Sequence, residues 1–353
     1  MTNFVFMEIG IYTFGDVGVH PITKEVTTPQ QRMHNLIEEA ELAEQVGLDV
    51  FAVGEHHRPD YSISAPAVVL GAIAAKTKKI KLSSAVTVLS SDDPVRVFQQ
   101  YATVDLLSNG RAEIMAGRGS FIESFPLFGY DLEDYDELFS EKLEMLLQLN
   151  EKERITWKGK YTQNISNRGV YPRPQQEKLP IWIAVGGTPG SIVRAAEFGL
   201  PMALAIIGGL PSGFVPHINL YKDVYKKSGH DINRMQLSIN SHTYIADDSQ
   251  KAADEFYPPY SEVMTQIGKE RGWPASNRQQ YDASLSPKGA LLVGSPQQVI
   301  DKILYEHELF GHTRFLAQMS LGAMPHKKIL HAIELLGTKV APAIRKYTAE
   351  KKK

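Results

Sequence analysis

Short, almost wholly apolar runs alternate along this chain with longer segments whose apolar residues recur every three or four positions. Met7–Thr13 (MEIGIYT) opens the series as a strand. Over Gln30–Val46 the residues Met33, Leu36, Ile37, Ala40 and Ala43 fall on one helical face, and Gly47 stops the helix. Leu48–Gly54 (LDVFAVG) is again almost entirely apolar, as suits a parallel strand buried on both faces. The unit then repeats. A small-residue helix near Ala65–Lys76 leads to a strand over Ile80–Val88. Asp93 as N-cap and Pro94 in the first turn open the next helix, followed by a strand over Arg111–Ala116. After a helix over Leu132–Asn150 come strands at Ile181–Val185, Met202–Ile207, Gln236–Ile245 and Arg314–Met319. Ser295-Pro296-Gln297-Gln298 has the spacing of a capping box, and a last helix covers roughly Lys327–Lys346.

Strand and helix alternating eight times has two main solutions, a closed (β/α)8 TIM barrel or an open doubly wound sheet. No Gly-x-Gly-x-x-Gly follows the first strand, and eight units suit closure. The pattern therefore predicts an α/β fold, a TIM barrel, as a single domain over residues 1–353. Residues 151–178 break the rhythm and read as a hairpin-containing insertion. Pro258-Pro259 and Gly272-Trp273-Pro274 predict a second irregular stretch before the eighth unit.

Composition narrows the chemistry. With 43% hydrophobic and 22% charged residues the chain is an ordinary globular sequence. Its formal net charge of -2 and the lack of a basic stripe argue against nucleic acid; Lys351-Lys352-Lys353 reads as a solvated tail. The absence of cysteine excludes disulfides, thiolate metal sites, iron–sulfur clusters and cysteine nucleophiles. Met1–Phe6 lacks the marks of a signal peptide, and no apolar run reaches about 18 residues, so the expected location is the cytoplasm, with no membrane partner.

In a TIM barrel the active site lies at the C-terminal ends of the strands. That rule selects Glu55-His56-His57-Arg58 after the second strand, Gly117-Arg118-Gly119-Ser120 after the fourth, and Gly186-Gly187-Thr188-Pro189-Gly190-Ser191 after the fifth. Glycines in the last loop let a ligand approach the backbone. Thr188 at the N-cap and Pro189 in the first turn start a helix whose free amides and partial positive charge favour an anion. A good helix start after a glycine turn explains the same residues. Arg118, one strand away, is placed to meet the same anion with paired hydrogen bonds, or else to form a surface ion pair. Glu55-His56-His57 offers a base or hydrogen-bond donor, or a structural pair. As a metal site it lacks further ligands at suitable spacing. By strand-end position Phe14, His56, Phe121, Phe125 and Met319 are candidates to line the site, and the loop Ser120–Asp131 is a candidate lid.

Taken in order, these pieces resemble the bacterial luciferase-like flavin monooxygenase family. The matching motifs are Gly47-Leu48-Asp49 through Glu55-His56-His57, Ala85-Val86, Asp93-Pro94-Val95, Asp105-Leu106-Leu107-Ser108-Asn109-Gly110-Arg111, Gly117-Arg118-Gly119, Phe128-Gly129, and Pro180-Ile181-Trp182-Ile183-Ala184 running into Gly187-Thr188 and Ser191. Their order and spacing follow the family from about residue 7 to 207. The resemblance implies a monooxygenase that uses reduced FMN and molecular oxygen on a small organic substrate. It implies a separate NAD(P)H-dependent flavin reductase as partner, and a homodimer. It places the FMN phosphate on Arg118 and on Gly186, Gly187, Thr188, Gly190 and Ser191, with the isoalloxazine ring over a non-proline cis peptide at Ala85-Val86. It makes His56 the catalytic base or hydrogen-bonding group. Where this chain has Gly187, luciferase proper carries an acidic residue, which argues against light emission. A deazaflavin-dependent hydride transferase, a non-catalytic flavin-binding protein and a metal-dependent hydrolase on the same barrel are the alternatives.

Overall fold

The computed structural model describes residues 6–119 and 121–350; the Lys351-Lys352-Lys353 tail, Met1–Val5 and Ser120 lie outside them. Eight parallel strands form a closed barrel: β1 (Glu8–Thr13), β2 (Val50–Val53), β3 (Lys81–Ser84), β4 (Ala112–Gly117), β5 (Ile181–Val185), β6 (Met202–Ala205), β7 (Leu237–Ile245) and β8 (Arg314–Gln318). Each pairs with its successor. β8 returns to β1 in the register Glu8↔Arg314 to Tyr12↔Gln318, which closes the ring.

The two-residue period of a strand sorts side chains between two layers. Outward-facing Ile9, Ile11, Phe51, Val53, Leu82, Ile114, Ile181 and Ile183 join the buried faces of the surrounding helices in one continuous core. Inward-facing Tyr12, Val50, Ala52, Met115, Trp182, Ala203 and Leu316 form a second, smaller core inside the barrel. Helix starts follow local chemistry. The Asp93 carboxylate accepts from the N–H groups of Val95 and Arg96 at 2.8 and 3.0 Å, and the Ser295–Gln298 capping box is formed.

At the N-terminal end the interior is ionic. The Arg314 guanidinium donates to both Glu113 oxygens at 2.7 and 3.1 Å and to Glu8 at 2.8 Å, and lies 4.2 Å above the Trp182 ring. Lys81 donates to Glu8 at 2.5 Å. Burial opposes ionisation of Glu8, but Arg314 and Lys81 outweigh it and hold its carboxyl below the usual range. Four strands, β1, β3, β4 and β8, are thus tied across the closed end.

The expected insertion is an antiparallel hairpin, Arg154–Trp157 with Ile165–Gly169. Two expectations are corrected. The stretch around Pro258-Pro259 is not irregular. One helix, Ser249–Arg271, runs through both prolines, because Phe256, Pro259 and Tyr260 are buried and their packing outweighs the two missing N–H donors. Irregular chain begins only at Gly272, whose φ of +70° ends the helix. The single strand expected over Ile80–Val88 is two pieces, β3 and Thr87–Val88.

Replacing Arg314 with Met leaves buried Glu113 with only Lys81, 3.5 Å away, and is expected to cost about 3–5 kcal/mol in chemical denaturation. Burial pushes the His242 ring on β7 from 6.5 down to about 4, and its Nδ1 has no partner. The unfolded ring takes up its proton first, so the stability held by neutral His242 is complete above pH 6.5 and is lost as pH falls towards about 4. Over that window wild type should lose stability relative to His242→Phe, measured by denaturation at each pH.

Candidate active site

The C-terminal ends of the strands open into a cavity of about 410 Å³. Its floor is set by inward-facing Tyr12, Met115, Ala184 and Ala203, with Ala85 and Val86 beside them. Small side chains there leave a broad apolar surface. The Ala85–Val86 peptide is cis. Gly117 ends β4 against it: a Cβ at Gly117 would stand 2.8 Å from Val86 Cγ2, so glycine is required for this approach.

One end of the cavity is rich in donors. Arg118, Gly186, Thr188 and Ser191 all line it. Thr188 is the N-cap of the helix Pro189–Glu197, yet its hydroxyl makes no capping bond and is available to the cavity. Among the described residues the N–H groups of Gly187, Thr188 and Gly190 have no backbone acceptor. The Ser191 N–H is turned back to the Thr188 carbonyl at 3.1 Å. Gly187 adopts a φ of +104°, and its carbonyl accepts from His217 Nε2 at 2.9 Å, pinning the loop from behind. Gly187 and Gly190 sit in this loop without lining the cavity. Arg118 pairs with the exposed Asp136 and lies 4.8 Å over the Tyr135 ring. Arg194, on the same helix as Ser191, has one buried guanidinium nitrogen, Nη1, without a partner. Burial, and next Arg118, hold its pKa below the usual arginine value. The Arg118 guanidinium and the start of a helix thus meet at one end of the cavity, an arrangement that suits an anion.

The other side is aromatic. His56 is buried after β2, with its ring centroid 4.6 Å from Phe14, 4.5 Å from Tyr61 and 4.8 Å from Phe121. Its Nδ1 stands 3.6 Å from Glu123 Oε1. Partial burial opposes ionisation of Glu123, but hydrogen bonds centred on His56 and the backbone outweigh it and lower its pKa. His57 points the other way, with Nε2 3.5 Å from Glu55 Oε1. A histidine held beside a carboxylate and shielded by rings is equipped to take or give a proton.

His56, Ala85, Val86, Arg118, Gly186, Thr188 and Ser191 are thus brought to one cavity, as are Phe14 and Phe121. Phe125 and Met319 are not. Phe125 is fully buried and stacks on Tyr135 at 5.4 Å, and Met319 packs in the outer core. Glu123, Tyr12, Asn240 and Arg271, which also line the cavity, were not anticipated. Glu123 lies in the loop marked as a lid; the others carry no local signal. Among the described residues no three His, Asp or Glu side chains converge as a metal site.

The sequence pattern that defines the luciferase-like monooxygenases matches residues 7–313. The oxygenase component of the flavin-dependent trigonelline monooxygenase of Acinetobacter baylyi is 25% identical, with 90% of this chain and 91% of that protein covered. Among solved structures, the monooxygenase RslO1 from Streptomyces bottropensis superposes with a TM-score of 0.82 at 23% identity, over 95% of this chain and 99% of its own. The coenzyme F420-dependent tetrahydromethanopterin reductase from Methanopyrus kandleri superposes with a TM-score of 0.73 at 20% identity, over 96% and 99%.

Open space surrounds the Gly187 Cα, the nearest atom to an added Cβ being 3.8 Å away. Any cost of substitution there is therefore backbone strain. Gly187→Ala is expected to lose about 1–3 kcal/mol of stability in urea, although nothing clashes.

Proposed function

The chain belongs to the luciferase-like monooxygenase family, and from that premise we propose that it is a flavin-dependent monooxygenase that uses reduced FMN and molecular oxygen to oxygenate a small organic substrate. The observation that carries this reading is the joining of three features in one cavity. These are the anion-seeking end at Arg118 and the Gly186–Ser191 loop, the apolar floor at Ala85-Val86, and the shielded His56.

FMN fits the donor set. Its phosphate carries negative charge, and the residues present supply the Arg118 guanidinium, helix-start amides and the hydroxyls of Thr188 and Ser191. Arg118 would exchange its exposed partner Asp136 for the phosphate. The floor of small residues would receive the ring system. When bound, the reduced flavin supplies the electrons that activate oxygen. The protein's own part is to place the reactants, to hold a proton at His56 with Glu123 behind it, and to exclude water through Phe14, Tyr61 and Phe121.

The chain has no nicotinamide fingerprint, and the trigonelline relative is an oxygenase component. Both support a separate NAD(P)H-dependent flavin reductase as partner. Val68, Leu106 and Leu107 are exposed apolar residues on adjoining helices, which supports a homodimer through that face. The F420-dependent reductase of the same fold favours one second reading, hydride transfer with a deazaflavin.

The test is to bind reduced FMN without oxygen, admit oxygen, and follow the flavin spectrum. Oxygen-dependent intermediates with bound flavin are expected; no binding, or selective binding of a deazaflavin, overturns the proposal. A charge-assisted hydrogen bond contributes roughly 1.5–3 kcal/mol, so Arg118→Ala should weaken FMN about tenfold or more with circular dichroism unchanged.

A further inference from the structure

Asn240 is the one carboxamide among the described residues that line the main cavity. It sits on β7 as an inward-facing residue, with its side chain buried. Its neighbours in register are Ala205 on β6 and Leu316 on β8. The Ser238 hydroxyl, two residues earlier on the same face, donates to Asn240 Oδ1 at 2.7 Å. That bond occupies the amide's acceptor and fixes its plane. Nδ2 then stands 3.9 Å from the Met115 sulfur, and among the described residues it has no other acceptor. Turning the amide over would set Oδ1 against that sulfur, acceptor to acceptor, so the donor is the atom on the Met115 side.

A thioether accepts weakly, and Nδ2 carries two hydrogens. A buried amide donor so poorly matched, in a floor that is otherwise apolar, calls for a partner. A leucine, with the same branching, would complete the floor with Met115, Ala184, Ala203 and Ala205 and leave no donor to satisfy. The donor's place narrows the choice of partner. Met115 is on β4, between the Ala85–Val86 peptide that follows β3 and Ala184 on β5. Asn240 thus reaches across the barrel to the part of the floor that the proposed function gives to the ring system.

We infer that Asn240 is a binding residue for the flavin ring, donating from Nδ2 to its carbonyl and ring-nitrogen edge, and that Ser238 is the positioning residue that aims the amide. The inference deepens the monooxygenase reading and rests on its flavin. The pyrimidine edge of a flavin offers oxygen and nitrogen acceptors, and reduction makes them richer in electrons. A hydrogen bond to a charged acceptor is stronger than one to a neutral acceptor. The amide therefore holds reduced flavin more tightly than oxidised flavin, which suits an enzyme that takes up its flavin already reduced. A carboxamide neither gains nor loses a proton near neutral pH, so this role is separate from that of His56.

The test compares wild type, Asn240→Leu, Asn240→Asp and Ser238→Ala in binding oxidised and reduced FMN without oxygen. Asn240→Leu should lose about tenfold more affinity for reduced than for oxidised FMN, equivalent to a fall of about 30 mV in the two-electron midpoint potential of the bound flavin. Ser238→Ala should shift the potential the same way by less. Asn240→Asp should shift it furthest, because an ionised carboxylate repels the reduced ring. Riboflavin, which lacks the phosphate, should show the same losses as FMN. If Asn240→Leu does not fold, as judged by circular dichroism, the other two variants decide. An unmoved ratio of the two affinities in folded variants, or losses confined to FMN, overturns the assignment. Failure of wild type to bind FMN would sink the monooxygenase reading and this inference with it, whereas binding by wild type with unmoved variants sinks the inference alone.

Discussion

One guanidinium organises this barrel. Arg314 opens β8, reaches Glu113 on β4 and Glu8 on β1, and rests on Trp182 of β5. With Lys81 from β3 these groups close the N-terminal end of the barrel. Taking a charge out of water costs several kcal/mol, and the cluster offsets it only because each charge meets an opposite one in good geometry. The consequence is directional. The closed end is filled and rigid, so whatever open volume the barrel has must lie at the other end, where the strands run into loops.

That open end is shaped mainly by small side chains. Ala85, Ala184 and Ala203 leave room that larger residues would fill, and Gly117 lets the end of β4 lie against Val86. Around this space the loops contribute opposite chemistries. The β5 loop offers amides and hydroxyls with Arg118 beside them, whereas the β2 loop offers a histidine wrapped in aromatic rings. A ligand with an anionic tail and a flat, largely apolar head satisfies both at once, and a flavin mononucleotide has that form.

Much of this was legible in the sequence, for physical reasons. The eight strands could be read because a parallel strand buried on both faces is apolar throughout, and helix starts such as Asp93-Pro94 and Thr188-Pro189 are local signals. The loop residues of the candidate site followed once the barrel was assumed, because strand ends point to one face. What stayed hidden depended on tertiary direction. Phe125 and Met319 occupy suitable positions, but Phe125 turns onto Tyr135 and Met319 turns outward. Glu123 reaches the site from the loop marked as a lid, but nothing in its spacing pairs it with His56. Pro258-Pro259 were misread because local propensity was outweighed by burial of their neighbours.

The central claim is that the β5 loop and Arg118 hold a flavin phosphate. Comparing FMN with riboflavin in calorimetric titrations of the unaltered protein tests it most directly, since the two ligands differ only in that phosphate. Several charge-assisted hydrogen bonds to the phosphate should make FMN bind on the order of 10²-fold tighter or more. Equal affinity for the two, or no affinity for either, would contradict the account.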